Sequence, residues 1–159
     1  MNKQNLLLLG VAFTSLFIGG MVYQHQQADF RSTQGDSFKW STIQEQTFVV
    51  NYFAEWCAPC LKEVPELNEF EKWTSTQPNV EFIAVSYDPL SEQKLSEIIT
   101  KYNMQFPVVG QTGSNFPIAV PQYLPATFIV SSGEVSKPLL GEQTVESLIQ
   151  AVKAVQAQP

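Results

Sequence analysis

The pattern of apolar and polar positions divides the chain into one uncharged N-terminal run and a series of short periodic segments. Leu6 to Tyr23 carries no charged side chain over 18 residues. As a helix this run would reach ~27 Å, close to the ~30 Å hydrocarbon core of a bilayer. Lys3 and the α-amino group precede it, and no Lys or Arg follows until Arg31. That asymmetry places the N-terminus in the cytoplasm and the remainder outside. A cleaved signal peptide is the alternative. Cutting behind Ala28 or Gly20 would put Gln26 or Ile18 where a small residue is needed. The expectation is one transmembrane helix over residues 6–23, with 1–27 as anchor and linker and 28–159 as the exported domain. No cysteine follows the run, so a lipoprotein anchor is not expected.

Past the polar linker, Phe30 to Ser32 and Phe38 to Trp40 flank Gln34-Gly35-Asp36 and read as a small β-hairpin. Thr47 to Ala54 is β-branched, aromatic and nearly continuous in apolar character, as expected of a strand buried on both faces. After it, Leu61, Val64, Leu67, Phe70 and Trp73 recur at helical steps. Asn79 to Tyr87 reads as a second central strand. Ser91 can cap a helix with Leu95, Ile98, Ile99 and Tyr102 inside. Phe106 to Val109 is a short extended piece before a loop at 110–121. Ala126–Ser131 and Glu134–Leu140 flank Ser132-Gly133 as an antiparallel hairpin. Thr144 to Val155 closes the chain as an amphipathic helix with Val145, Leu148, Ile149 and Val152 inside. The order implies an α/β fold in which a parallel strand pair is extended by an antiparallel one.

Composition changes this picture little. Apolar residues make up 44% and charged residues 15%, which fits a globular domain. The net charge of −6 and the lack of any Lys/Arg cluster leave no electrostatic footprint for nucleic acid.

The chemistry lies in the two cysteines, Cys57 and Cys60. A disulfide closing so short a loop restrains the unfolded chain little, so reversible chemistry explains the pair better than a structural staple. Cys57 falls where a buried strand hands over to a helix. There the free N–H groups and the helix dipole favour thiolate over thiol. Cys60 lies one turn on, on the same face and within disulfide reach. Pro59 sits in the first helical turn, where its missing N–H costs nothing. Cys57, at the end, is expected to attack a substrate disulfide, and Cys60, deeper, to resolve the mixed disulfide. Zinc would require two further ligands, and the only histidine, His25, lies in the linker. No metal and no cofactor are expected. An exported dithiol meets an oxidising environment, so a protein that must stay reduced there needs a supply of electrons.

The segment Val50-Asn51-Tyr52-Phe53-Ala54-Glu55-Trp56-Cys57-Ala58-Pro59-Cys60 resembles the active-site segment of thioredoxin-like proteins. More narrowly, the chain resembles the membrane-anchored TlpA/ResA/DsbE type of bacterial disulfide reductase. Asn51 stands where cytoplasmic thioredoxins carry a buried Asp. Cys60 to Leu67 matches a C-x-x-E-x-P-x-L helix, and Ala28-Asp29-Phe30 opens a hairpin as in that branch. The likeness covers roughly residues 28–155.

It implies a thioredoxin fold: a central mixed sheet flanked by helices, with an N-terminal β-hairpin. By resemblance, Glu63 manages the proton of Cys60; an acid placed early in a helix for dipole reasons is the alternative. Pro65 would kink its helix. Trp56 would pack over the disulfide, or simply in the core. Pro125 would be cis and face the cysteines, leaving the backbone at Leu124 free to pair with an extended substrate. Pro117 and Pro121 compete for that place, and Ala126 stands where the branch usually has Thr. The implied activity is reduction of disulfides in exported proteins, or oxidation in the opposite direction. Electrons would come through a membrane relay partner, and cytochrome c maturation is one such task. The implied location is the bacterial inner membrane, with the catalytic domain in the periplasm or extracytoplasmic space. A redox-inert thioredoxin-fold binding or assembly module is the alternative from another class.

Overall fold

The computed structural model describes residues 28–39, 46–113 and 116–157; the expected anchor at 6–23, its linker and Trp40 lie outside them. Among the described residues, no helix is long and apolar enough to cross a membrane.

The sheet is built on β3 (Thr47–Phe53), every residue of which is buried. It pairs in parallel with β4 (Val80–Ser86) and antiparallel with β6 (Ala126–Ser131). Short β5 (Val108–Val109) extends the sheet beyond β4, and β7 (Glu134–Val135) extends it beyond β6. Side chains alternate across β3. Val49 and Phe53 enter one core, with α2 (Val64–Thr74), α3 (Glu92–Tyr102) and α4 (Val145–Gln156); Phe48, Val50 and Tyr52 enter another on the opposite face. This two-sided burial is why the strand reads as a continuous apolar run. It is the mixed-sheet thioredoxin-like α/β arrangement that the resemblance implies.

The hairpin β1 (Phe30–Arg31) and β2 (Ser37–Phe38) is shorter than the sequence suggests, because Ser32 belongs to the turn. Ser32 Oγ donates to Asp36 Oδ2 and accepts from Asp36 N. The turn is tied to β5: Thr33 N donates to Val108 O, and Gln34 Nε2 to Phe106 O at 2.8 Å. Phe30 stacks on Phe38, and both meet Phe48 edge-on, so the hairpin covers the second core.

Ser91 caps α3 as its sequence position suggests, its Oγ accepting from Lys94 N; Thr144, expected as the first residue of the closing helix, is its N-cap and forms a capping box with Ser147.

The predicted strand Glu134–Leu140 is in fact two pieces. β7 and β8 (Leu139–Leu140) both pair with β6, but residues 136–138 lie opposite only 128–129, so one residue bulges out. Pro138 has no N–H to give the ladder, and at the bulge Ile129 N donates to Ser136 Oγ at 2.9 Å rather than to a backbone carbonyl. The Ser132-Gly133 turn has positive φ at both residues, +52° and +79°, as a two-residue hairpin requires.

Candidate active site

The chain leaves the C-terminal end of β3 and turns at once into Cys57, which is the N-cap of α1 (Ala58–Lys62). Cys57 N donates to Ala54 O, and Leu61 N donates back to Cys57 O. Cys57 and Cys60 are joined, with S–S 2.04 Å and Cα–Cα 5.3 Å. Cys60 N donates to Cys57 Sγ at 3.3 Å, so a helix-start N–H that no carbonyl can satisfy is directed at this sulfur. Pro59 occupies the first turn and is exposed. Cys57 is 4% exposed and Cys60 1%, so position at the helix end separates the two sulfurs more than exposure does.

The helix expected to run on from Cys57, with a kink at Pro65, is broken at Glu63, and α2 starts at Val64. Pro65 lies in the first turn of α2, where the break spares it a partner for its missing N–H. Glu63 itself is buried. Its Oε1 accepts from Asn51 Nδ2 at 2.9 Å and its Oε2 from the Gln143 backbone N–H at 3.0 Å. Asn51 Nδ2 also donates to Thr127 Oγ1 at 3.0 Å, directly across the β3–β6 pair, and Asn51 Oδ1 is buried without a hydrogen-bond partner among the described residues. Burial pushes the Glu63 carboxyl up to about 7, although both hydrogen bonds favour the charged form.

Stability should follow this carboxyl. Its affinity for protons is higher folded than unfolded, so the native state binds the extra proton between the ordinary 4.5 and about 7. Stability from this group is therefore complete below that window and lost as pH rises through it, by up to about 3 kcal/mol. Glu63→Gln cannot ionise, and urea unfolding from pH 4 to 8 should show that much less pH dependence. Equal slopes in both proteins would refute the assignment. Glu71, half-buried and also pushed up to about 7 by burial, adds a slope of the same sign in both.

Trp56 lies at the surface and not in the core. It is 66% exposed, its Nε1 donates to Asp88 Oδ2 at 2.8 Å, and its ring meets Tyr87 edge-on at 5.9 Å. The core alternative is thereby ruled out. Glu55, just before it, is paired with Lys94 and Lys101 of α3. The Leu124–Pro125 bond is cis, and among the described residues no bond at Pro117 or Pro121 is. Because Ala126 pairs with Tyr52, Pro125 lies beside the same end of β3 that leads to Cys57. Pro125 is buried, Leu124 half-buried and Tyr123 exposed. Thr127, Gln143 and Asp88 escaped the sequence reading. Pairing registers and loop returns bring them to the site, and neither leaves a local signal.

The family model described as AhpC/TSA matches residues 23–137. Thiol-disulfide oxidoreductase ResA of a Bacillus cereus strain is 29% identical over 121 residues, covering 72% of this chain and 66% of the relative. The protein of that name from Bacillus subtilis (strain 168) is 31% identical over 122 residues, covering 74% of this chain and 65% of its own. The chain thus spans just under two thirds of the length of these relatives. Among solved structures, StoA from Bacillus subtilis superposes with a TM-score of 0.64 at 22% identity, covering 76% of this chain and 92% of its own. A thiol:disulfide interchange protein from Chlorobium tepidum TLS gives 0.63 at 21%, covering 78% and 89%. At these identities the structural likeness speaks for the fold.

Proposed function

Since the chain belongs to the AhpC/TSA family, we propose that it is a thiol–disulfide oxidoreductase that reduces disulfides of exported proteins with Cys57 and Cys60. Residues 1–27 would hold the domain 28–159 on the outer face of the bacterial cytoplasmic membrane.

The cycle starts from the dithiol. Cys57, ionised at the helix start, attacks one sulfur of a substrate disulfide and expels the other as a thiolate, which takes a proton from solvent. Cys60 then gives its proton to Glu63 and attacks Cys57 Sγ. The second substrate sulfur leaves and is protonated in turn. Two electrons have passed to the substrate and the Cys57–Cys60 disulfide is restored. A membrane electron-relay partner would return the pair to the dithiol, and haem-attachment thiols of cytochrome c are one substrate class that fits. Leu124, preceding cis Pro125, would offer backbone to an extended substrate. Pro59 would shape the first helical turn, and Trp56, held by Asp88, the docking surface.

The observation that carries this reading is the Cys57–Cys60 disulfide at a helix start, with the Cys60 N–H directed at Cys57 Sγ. The names of the ResA relatives support it. Wild type should reduce a protein disulfide, and Cys57→Ala should fall to background. Equal activity in both, or none in either, would leave a redox-inert assembly module. A redox titration fixes direction: a potential far above the thioredoxin range of about −270 mV would overturn the reductase assignment.

A further inference from the structure

Asn51 is a buried amide whose two ends are treated unequally. Its nitrogen donates to both Glu63 Oε1 and Thr127 Oγ1, whereas its oxygen has no partner among the described residues. Buried amides ordinarily satisfy both ends. Among the described residues, then, no third protein group holds the amide from behind. Only the carboxylate in front keeps nitrogen, and not oxygen, turned toward Glu63.

A carboxylate only accepts, but a carboxylic acid brings an O–H donor to the same place. Of the two Glu63 oxygens, Oε2 faces a backbone N–H from Gln143, which cannot reverse its direction. Oε1 faces an amide that can. A proton arriving on Oε1 would meet an N–H donor at 2.9 Å, and half a turn of the Asn51 amide replaces that clash with an O–H···Oδ1 bond. The Thr127 hydroxyl serves both orientations, accepting from Nδ2 in one and donating to Oδ1 in the other. Each orientation leaves one end of the amide unmatched, so the charge on Glu63 decides between them.

We propose that Asn51 and Thr127 are positioning residues whose amide–hydroxyl pair turns over with each protonation of Glu63, keeping Oε1 hydrogen-bonded in both charge states. This rests on the proton-transfer role proposed for Glu63. The only covalent change is the one proton on Oε1, exchanged with the Cys60 thiol during turnover or with solvent at rest; the amide turn breaks and makes hydrogen bonds alone. Burial already brings Glu63 up to about 7, within reach of neutral conditions. Of the charged groups on the elements around it, Glu142 acts on Glu63 and favours the protonated form; it pairs with Lys62 at 2.7 Å, and Glu66 Oε2 accepts from Val145 N. Farther along those helices lie Glu69, Glu71 and Lys72 of α2 and Glu146 and Lys153 of α4. Asn51 and Thr127 bring no charge, and the cysteines do not titrate while joined.

The test is a side-chain NMR titration of the full oxidised chain in phospholipid nanodiscs, from pH 5 to 9. The Asn51 amide protons should shift with the same midpoint as the Glu63 carboxyl carbon. Glu63→Gln, which carries a permanent donor, should hold them at their low-pH position throughout. Asn51→Leu removes the donor that favours the anion and should raise the Glu63 midpoint by about one pH unit. Thr127→Val should separate the Asn51 and Glu63 midpoints, and Thr127→Ser should rejoin them. A titrating Glu63 with unmoved Asn51 signals would overturn the proposal, as would Val and Ser behaving alike at position 127, or a Glu63 that does not titrate. Activity is not read, so loss of the oxidoreductase reading would show separately, in the Cys57→Ala comparison.

Discussion

With Cys60 replaced by alanine, a covalent adduct between Cys57 and a substrate cysteine is expected to accumulate while turnover falls on the order of a thousandfold or more. Attack by a neighbour one helical turn away has a very high effective concentration, and the variant must rely on thiols from solution. The two sulfurs already lie in bonding geometry on 5.3 Å of Cα separation, so nothing needs to move far in the native protein to close the cycle. Non-reducing electrophoresis after exposure to an oxidised protein substrate should show the adduct for Cys60→Ala and none for Cys57→Ala. If Cys60→Ala turns over at the native rate without an adduct, the roles given to the two sulfurs are wrong.

Phe70→Ala should be the most damaging of the simple packing changes, at about 3–5 kcal/mol. Phe70 is fully buried on the inner face of α2, stacked on Trp73 at 5.6 Å and edge-on to Phe82 of β4 at 5.3 Å. Phe82 in turn meets Phe106, so the cavity would open in the middle of an aromatic run that joins helix to sheet. The backbone on both sides is fixed by helix and ladder and cannot collapse into it. Thermal unfolding should drop by roughly 10–20 °C, against almost no change for the exposed Lys72→Ala. A loss below about 1 kcal/mol would mean that α2 does not rest on β4 through this ring.

The sequence was most legible where a local pattern and the tertiary structure agree. β3 and β4 are apolar because both their faces are buried, and Ser91 caps a helix because its side chain reaches an N–H group only three residues on. Cys57 and Cys60 were legible for the same reason, since one helical turn fixes their separation. What stayed hidden depends on register or on distant returns of the chain. Nothing near Thr127 announces that it lies opposite Asn51, and nothing near Gln143 announces that its N–H ends on Glu63, 80 residues earlier. Between the two places open to Trp56, nothing local excluded the core; Asp88, 32 residues on, offers its indole N–H a partner at the surface. The long predicted strand at 134–140 failed on Pro138, whose effect on the ladder depends on which edge it faces.

That interrupted strand also bears on how separate molecules meet. β7 and β8 form the outer border of the sheet, where an unbroken strand would present a ready template for a second copy to join. The extra residue puts the two pieces out of step with each other, so an incoming chain in register with one is out of register with the other. Lys137 adds an exposed charge and Pro138 a missing donor at the same spot. The break thus makes this border a poor template for edge-wise pairing.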